Sequence, residues 1–271
     1  MTAVKSVFIA GLSSDIGAEL AVRFLAAGTS VAGTYRNIPP TPTWPSGVKA
    51  CRCDLLSNKD IASAAESFAE SGNPAWDLFV SSVGTLEPIG RFFDVPMHEW
   101  LRSVELNCLR QLELLRVLYP LRSKTGTAHV AFFSGAGTNG PADAYSAYSA
   151  SKIFLIKMCE LLHSENEDLN CFIIGPGMVR TKIHAQTLQA GGRAGPNLNR
   201  IEDFWAGRTE GVSHEEVFAC LSWCLQAGRD VVGGRNISLV GDSWRAEDGA
   251  LAQKLRGHPD AFRLRRHSND L

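Results

Sequence analysis

Residues 6–17 read SVFIAGLSSDIG: an apolar run, a loop with glycine at 11 and 17, then the opening of a helical pattern, DIGAELAVRFLAAG. A buried strand that turns at once into a helix is the first half of a β-α-β unit. The N-terminus of that helix presents free N–H groups and the positive end of the helix dipole, which suits a diphosphate. Two glycines at this spacing are a weak signal by themselves; their position after the first strand gives them weight. Gly11, Ser13, Ser14, Asp15, Ile16 and Gly17 are therefore the candidate diphosphate contacts, with the serine hydroxyls as donors. Asp15 is the odd member, since a carboxylate repels phosphate. Aspartate is also a strong N-cap, and the expectation is that Asp15 caps the helix with its oxygens turned from the phosphates.

Outward from this unit the strand signature repeats in SVAGTY (30–35), VKACRCD (48–54), DLFVSSVG (77–84), AHVAFFSG (128–135), LNCFIIGPG (169–177) and NISLVG (236–241). Helical patterns lie between them: one from near Ser57, a long one from about Pro96 to Ser123, one carrying Tyr148 and Lys152, and HEEVFACLSWCLQ. Continuous apolar strands alternating with helices imply a parallel sheet covered on both faces. Right-handed crossovers then give a single doubly wound α/β domain, residues 1–243, with about seven strands. The polar, basic segment 244–271 reads as a C-terminal appendage.

Composition narrows the function classes. The chain has 271 residues, 45% hydrophobic and 20% charged, with a formal net charge of −1. That balance argues against a nucleic-acid or anionic-membrane partner. No apolar run approaches the roughly 20 residues of a membrane span. The first apolar run leads into the glycine loop with no cleavage-like site, so it reads as a strand and not a signal peptide. None of the seven cysteines is placed with zinc-ligand spacing; no metal is expected, and free thiols point to the reducing cytoplasm.

At the end of the second strand an NAD-selective site would place an acid for the ribose 2′-hydroxyl. This chain has Tyr35-Arg36 there. A guanidinium matches a 2′-phosphate, so NADP(H) is favoured, with NAD(H) possible.

AYSAYSASK, residues 144–152, holds two tyrosines and one lysine. Lys152 lies one helical turn beyond Tyr148 and two beyond Tyr145. An ammonium near a phenol favours phenolate and lowers its pKa, and only Tyr148 has that relation at close range.

Tyr148-Ser149-Ala150-Ser151-Lys152 resembles the YxxxK motif of the short-chain dehydrogenase/reductase family. Gly11 to Gly17 is similar to that family's TGxxxGxG, with Asp15 in place of the middle glycine. The resemblance runs from about Ser6 to Val240 and implies a Rossmann-type fold. It carries over Asp54 and Leu55 as adenine contacts, Ser82, Val83 and Gly84 in place of the family's NNAG, and Pro176, Gly177, Val179 and Thr181 from PGxVxT beside the nicotinamide. It also carries over Asn107, Ser134, Tyr148 and Lys152 as a catalytic tetrad, with Tyr148 and Lys152 touching the cofactor as well.

The implied reaction is hydride transfer between nicotinamide and a small carbonyl or alcohol substrate, Tyr148 giving or taking the proton. Residues 182–212, glycine-rich and expected to be irregular and mobile, fall where the family carries its substrate lid. A homodimer or homotetramer through the long helices is implied. A narrower resemblance to reductases of bacterial surface-polysaccharide synthesis makes a sugar or polyol derivative a plausible substrate. A sugar-nucleotide epimerase or dehydratase, and a catalytically silent NADP-binding regulator, remain alternatives.

Overall fold

A computed structural model of the chain describes residues 4–37, 44–72, 75–246 and 249–266. The proline-rich part of the loop after the second strand (38–43) and the end of the tail (267–271) lie outside the described residues.

Seven strands form one parallel sheet: β1 (Ser6–Ala10), β2 (Ser30–Tyr35), β3 (Lys49–Arg52), β4 (Leu78–Ser81), β5 (Ala128–Phe133), β6 (Leu169–Gly175) and β7 (Asn236–Ser238). Their spatial order is β3-β2-β1-β4-β5-β6-β7, so the winding reverses between β1 and β4. A ligand crevice opens at the carboxyl ends of the strands at such a switch point.

Alternation along β1 feeds two cores. Val7 and Ile9 face one side, with α1 (Asp15–Ala26), α8 (His214–Ala227), α9 (Arg229–Val232) and α10 (Ala250–Gly257). Phe8 and Ala10 face the other, with α2 (Asn58–Glu70), α4 (Arg110–Leu118) and α5 (Ser146–Glu165). Phe8, Phe79, Phe132 and Trp76 are fully buried there, each worth about 1.5–3 kcal/mol on the usual transfer scale. All seven cysteines are free thiols.

Two expectations need correction. The long helix from Pro96 to Ser123 is continuous but not α-helical throughout: α3 (Met97–Val104) runs into a π-helical turn, Glu105–Leu109, before α4 resumes and ends in a 3₁₀ turn at Tyr119–Leu121. Apolar periodicity alone cannot register the one-residue insertion that such a turn makes. The stretch after β6 is mainly helical and not irregular. It contains α6 (His184–Ala190), a 3₁₀ turn (Gly191–Ala194) and α7 (Pro196–Trp205). Gly191 and Gly195, both at φ 56°, end one helix and start the next, a conformation glycine adopts without a Cβ clash. Ala190, Ala194, Ile201 and Phe204 are buried, which is why these short helices hold.

The segment beyond β7 joins the first core through Trp244, Leu251 and Leu255. The buried Arg235 donates to the carbonyl oxygens of Leu255 (2.7 Å), His258 and Ala261 (both 3.1 Å) and so pins the tail to β7.

Candidate active site

A cavity of about 720 Å³ opens at the carboxyl ends of the strands, beside β1 and β4 where the winding reverses. It is lined by Ser14, Asp15, Ile16, Arg36, Ser82, Val83, Gly84, Ser134, Tyr148, Lys152, Pro176, Gly177, Val179 and Thr181, all of them picked out from the sequence. Gly11, Ser13, Gly17, Tyr35, Asp54, Leu55 and Asn107 do not line it. A second hollow of about 600 Å³ on the flank of β3 and α2 contains none of the predicted residues.

The glycine loop is shaped for close approach. Gly11 has φ 92°, and a Cβ on it would stand 3.0 Å from the Val83 side chain. A Cβ on Gly17 would overlap the Gly11 carbonyl oxygen and stand 2.6 Å from Ser82 Oγ. The N-cap of α1 is Ser14 and not Asp15. The Ser14 hydroxyl accepts from Gly17 N at 2.9 Å and donates to Ser82 Oγ at 2.8 Å. Ser82 in turn reaches the carbonyl oxygens of Ala10 and Gly11, so the serine of SSVG ties the end of β4 to the loop. Asp15 takes a long-range partner instead: its Oδ2 accepts from Lys182 N at 2.6 Å, and Lys182 Nζ donates to the Ser13 carbonyl. The reason is position: one residue inside the helix, Asp15 turns its carboxylate across the cavity mouth to the chain leaving β6.

Arg36 is exposed at the end of β2 and borders the cavity beside Ser14 and Asp15. Tyr35 stacks on Trp44 with centroids 5.2 Å apart. Asp54 folds back on its own turn, accepting from Leu56 N at 3.1 Å, and Leu55 is buried in the second core.

Ser134 ends β5 and is 3% exposed; its Oγ donates to Asn236 Oδ1 at 3.2 Å. Turned over, the Asn236 amide donates to Ser134 and frees the serine proton for a ligand in the cavity. Gly135 makes room for the tyrosine: a Cβ there would overlap the Tyr148 hydroxyl. Lys152, 3% exposed, lies with Nζ 5.5 Å from the Tyr148 ring centroid. Among the described residues no protein group accepts its ammonium hydrogens.

Burial dominates both titrations. Tyr148 is partly open to the cavity, yet the protein packed around it, with Tyr145 adding to the effect, pushes the phenol up to about 12. Lys152 is held down at about 8 by its own burial. The expected lowering of the phenol by the lysine is therefore not seen in this structure: burial, and not the ammonium, sets the direction.

Asn107 sits in the π-helical turn, fully buried. Its Oδ1 accepts from Thr85 N at 2.8 Å and its Nδ2 donates to Thr85 O at 2.9 Å, so it clamps the strand end below Gly84. Sequence reading missed the buried Gln111, one turn on, which donates to Asn107 O (2.8 Å) and Val83 O (3.2 Å) and accepts from Ser81 Oγ. A glutamine at i+4 on a helix otherwise packed by leucines was the available signal. Asn236 and Gln186 had none, because their partners lie about a hundred residues away in the chain.

Tyr145 also lines the cavity, but its hydroxyl is engaged by the lid. It is 4% exposed, in a small third core with Leu86, Ile89 and Ala190, and its hydroxyl meets Thr187 Oγ1 at 2.5 Å. Gln186 Oε1 accepts from Leu86 N (2.7 Å), and Asn197 Nδ2 donates to Asp143 O (2.6 Å), so α6 and α7 close one side of the cavity.

The sequence model of the short chain dehydrogenase family matches residues 5–191. The 7alpha-hydroxysteroid dehydrogenase of Escherichia coli K12 is 27% identical over 155 residues, 55% of this chain and 60% of that enzyme. The chain thus spans less than two thirds of that relative's length. Among solved structures, a short chain dehydrogenase/reductase of Saccharomyces cerevisiae superposes with TM-score 0.76 at 21% identity, covering 92% of this chain and 98% of that one. An actinorhodin polyketide ketoreductase crystallised with NADPH gives 0.72 at 19%, covering 88% and 96%. With the family match extending over well over half its length, on a parallel sheet wound in this order, the chain belongs to the short-chain dehydrogenase/reductase family.

Proposed function

We propose that this chain is an NADP(H)-dependent carbonyl/alcohol oxidoreductase. The observation that carries the reading is Lys152: a buried ammonium without a protein acceptor among the described residues, one turn from Tyr148, in the wall of the cavity at the sheet's switch point. An unpaired buried charge is costly and is kept where a ligand completes it. The glycine loop leads into the N-terminus of α1, where Ser14 and Ile16 line the cavity, and a helix N-terminus there suits a dinucleotide diphosphate. Arg36 at the cavity rim is the group for a 2′-phosphate.

When bound, the nicotinamide supplies or accepts the hydride. In the reductive direction Ser134 and Tyr148 hydrogen-bond the substrate carbonyl oxygen, and Tyr148 transfers its proton as charge develops there. The raised phenol pKa keeps that proton in place until it is needed. Lys152 faces the phenolate as it forms, while Asn107 holds the Thr85 backbone below it. Residues 182–212 serve as the lid of a catalytic domain, 1–243, to which 244–271 is an appendage. A homodimer or homotetramer and a cytoplasmic location complete the reading, the latter supported by seven free thiols.

The test is a panel of ketones and sugar-derived carbonyls with NADPH and NADH side by side. NADPH should be preferred, and Tyr148→Phe should abolish turnover with NADPH binding within about threefold of wild type, the deleted hydroxyl contributing chiefly to the reaction. Undiminished turnover in that variant would sink the assignment; a strong NADH preference would remove Arg36 from its role.

A further inference from the structure

The cavity contains more positive charge than the proposed reaction uses. Its charged lining is one carboxylate, Asp15, and four cations: Arg36, Lys152, Lys182 and Arg200. Arg36 is assigned to the cofactor's 2′-phosphate and Lys152 to the reacting tyrosine. Lys182 is engaged with the Ser13 carbonyl, and Asp15 with the Lys182 backbone. Arg200 is left over. It lies on α7, across the cavity from the helix that carries Tyr148, and among the described residues no carboxylate lies within ion-pair distance of it.

Arg200 is exposed at the edge of the cavity, on a helix that is itself fixed in place. Asn197, one turn earlier, fastens α7 to the Asp143 carbonyl, and Ile201 beside it is buried. The charge is felt inside. After burial, Arg200 is the next cause holding His184 below the ordinary histidine range, and it works against the burial that raises Tyr145. His184 lines the same cavity with a buried Nδ1 that has no hydrogen-bond partner among the described residues. A guanidinium and a neutral imidazole lining one cavity together with the apolar Leu86, Ile183 and Ile201 make a receptor for an anionic oxygen group.

We infer that Arg200 and His184 form an anion subsite, and that the substrate is a carbonyl compound carrying a carboxylate or phosphate away from its reacting carbon. This rests on reading the cavity as an oxidoreductase site. The test compares matched pairs: acetoacetate against its methyl ester, and dihydroxyacetone phosphate against dihydroxyacetone, each with NADPH. At least one anion should exceed its neutral partner about tenfold in kcat/KM, as expected of one charge-assisted contact; which one distinguishes carboxylate from phosphate. Arg200→Gln should erase that preference, and Arg193→Gln, on the same lid but bonded to the Ile89 carbonyl, should keep it. Equal use of anion and ester, or a preference that survives Arg200→Gln, overturns the subsite and leaves the oxidoreductase reading standing. If no pair is reduced, calorimetry with the two anions decides. Binding that weakens about tenfold in Arg200→Gln keeps the subsite and overturns the reaction; binding indifferent to Arg200 overturns the subsite.

Discussion

The two walls of the cavity are built on opposite terms. One is β5 with α5. Ser134 ends a strand hydrogen-bonded on both sides, to β4 and β6, and Tyr148 and Lys152 ride the first two turns of a 20-residue helix buried against the sheet. The other is α6 with α7, two short helices separated by glycines at 191 and 195 and tied down by side-chain bonds from Gln186 to the loop after β4, from Thr187 to Tyr145 and from Asn197 to the loop before α5. Groups that must be placed to a fraction of an ångström belong on rigid elements, and groups that must admit a ligand are drawn from the less stable end of the structure. The largest effects should therefore come from displacing the first wall, and graded ones from loosening the second.

Gly135→Ala gives the sharpest break. The added methyl overlaps the Tyr148 hydroxyl, and neither the strand end nor the helix can yield cheaply. A displacement of about 1 Å at a reacting group costs on the order of a hundredfold in rate. The expected result is a kcat lower by about that factor with the fold intact by circular dichroism. Near-normal kcat would show the phenol to be mobile.

Next comes pH. Burial sets Lys152 at about 8, against 10.5 for an ordinary lysine. The ammonium is charged below about 8, so kcat/KM for reduction should be level at lower pH and decline above it. Stability should move the other way. Between about 8 and 10.5 the unfolded chain binds the proton that the folded chain has lost, so this residue's contribution to stability rises with pH across that window. Denaturant titrations of wild type and Lys152→Met at pH 7.5 and 9.5 read the two trends separately; a wild-type deficit that does not shrink at the higher pH contradicts the assignment.

The same contrast explains what was legible in the sequence. The first wall was readable because its groups are local. Tyr148 and Lys152 are one turn apart, Ser134 closes an apolar run, and Gly11 and Gly17 follow a strand. The winding followed from alternation, since continuous apolar strands that alternate with helices call for parallel pairing with helical crossovers. The lid was misread because glycines at 191, 192 and 195 look like flexibility, whereas two of them act as helix punctuation. Asp15 was misassigned as a cap because its true partner, Lys182, is distant in sequence and close only after β6 returns to the glycine loop. Ser82 illustrates the same limit: its value lies in three bonds across two strands, which no spacing rule encodes.

Gln186→Ala tests the second wall at its strongest tie. It leaves the buried Leu86 N–H unpaired and removes the lid's hold on the β4 loop. A buried donor left unsatisfied costs about 1–3 kcal/mol. KM should rise about tenfold while kcat changes little, and amide exchange in residues 184–205 should speed up without change in α5. A fall in kcat alone would mean that Gln186 serves the reacting groups and not the lid.

Tyr145→Phe should have the smallest effect, and it bears most directly on the comparison, because this residue stands at the base of α5 and reaches across to α6. Were it a reacting group, its loss would resemble that of Tyr148. Its geometry says otherwise: the hydroxyl is spent on Thr187, the ring is buried among Leu86, Ile89 and Ala190, and burial raises its pKa. Removing one neutral hydrogen bond from a buried pair costs about 1 kcal/mol, and removing both partners costs less than twice the single change. Tyr145→Phe should therefore lower stability by about that amount with kcat within about threefold, and the double change with Thr187→Val should recover part of the loss. The preceding Ala144 is held at φ 64° by the Gly90 N–H on its carbonyl, a conformation that turns Tyr145 toward the lid and lets Tyr148, one turn later, face the cavity. A single strained residue thus divides the two tyrosines between the walls, and additive losses in the double variant would show that they are not divided by the Thr187 bond at all.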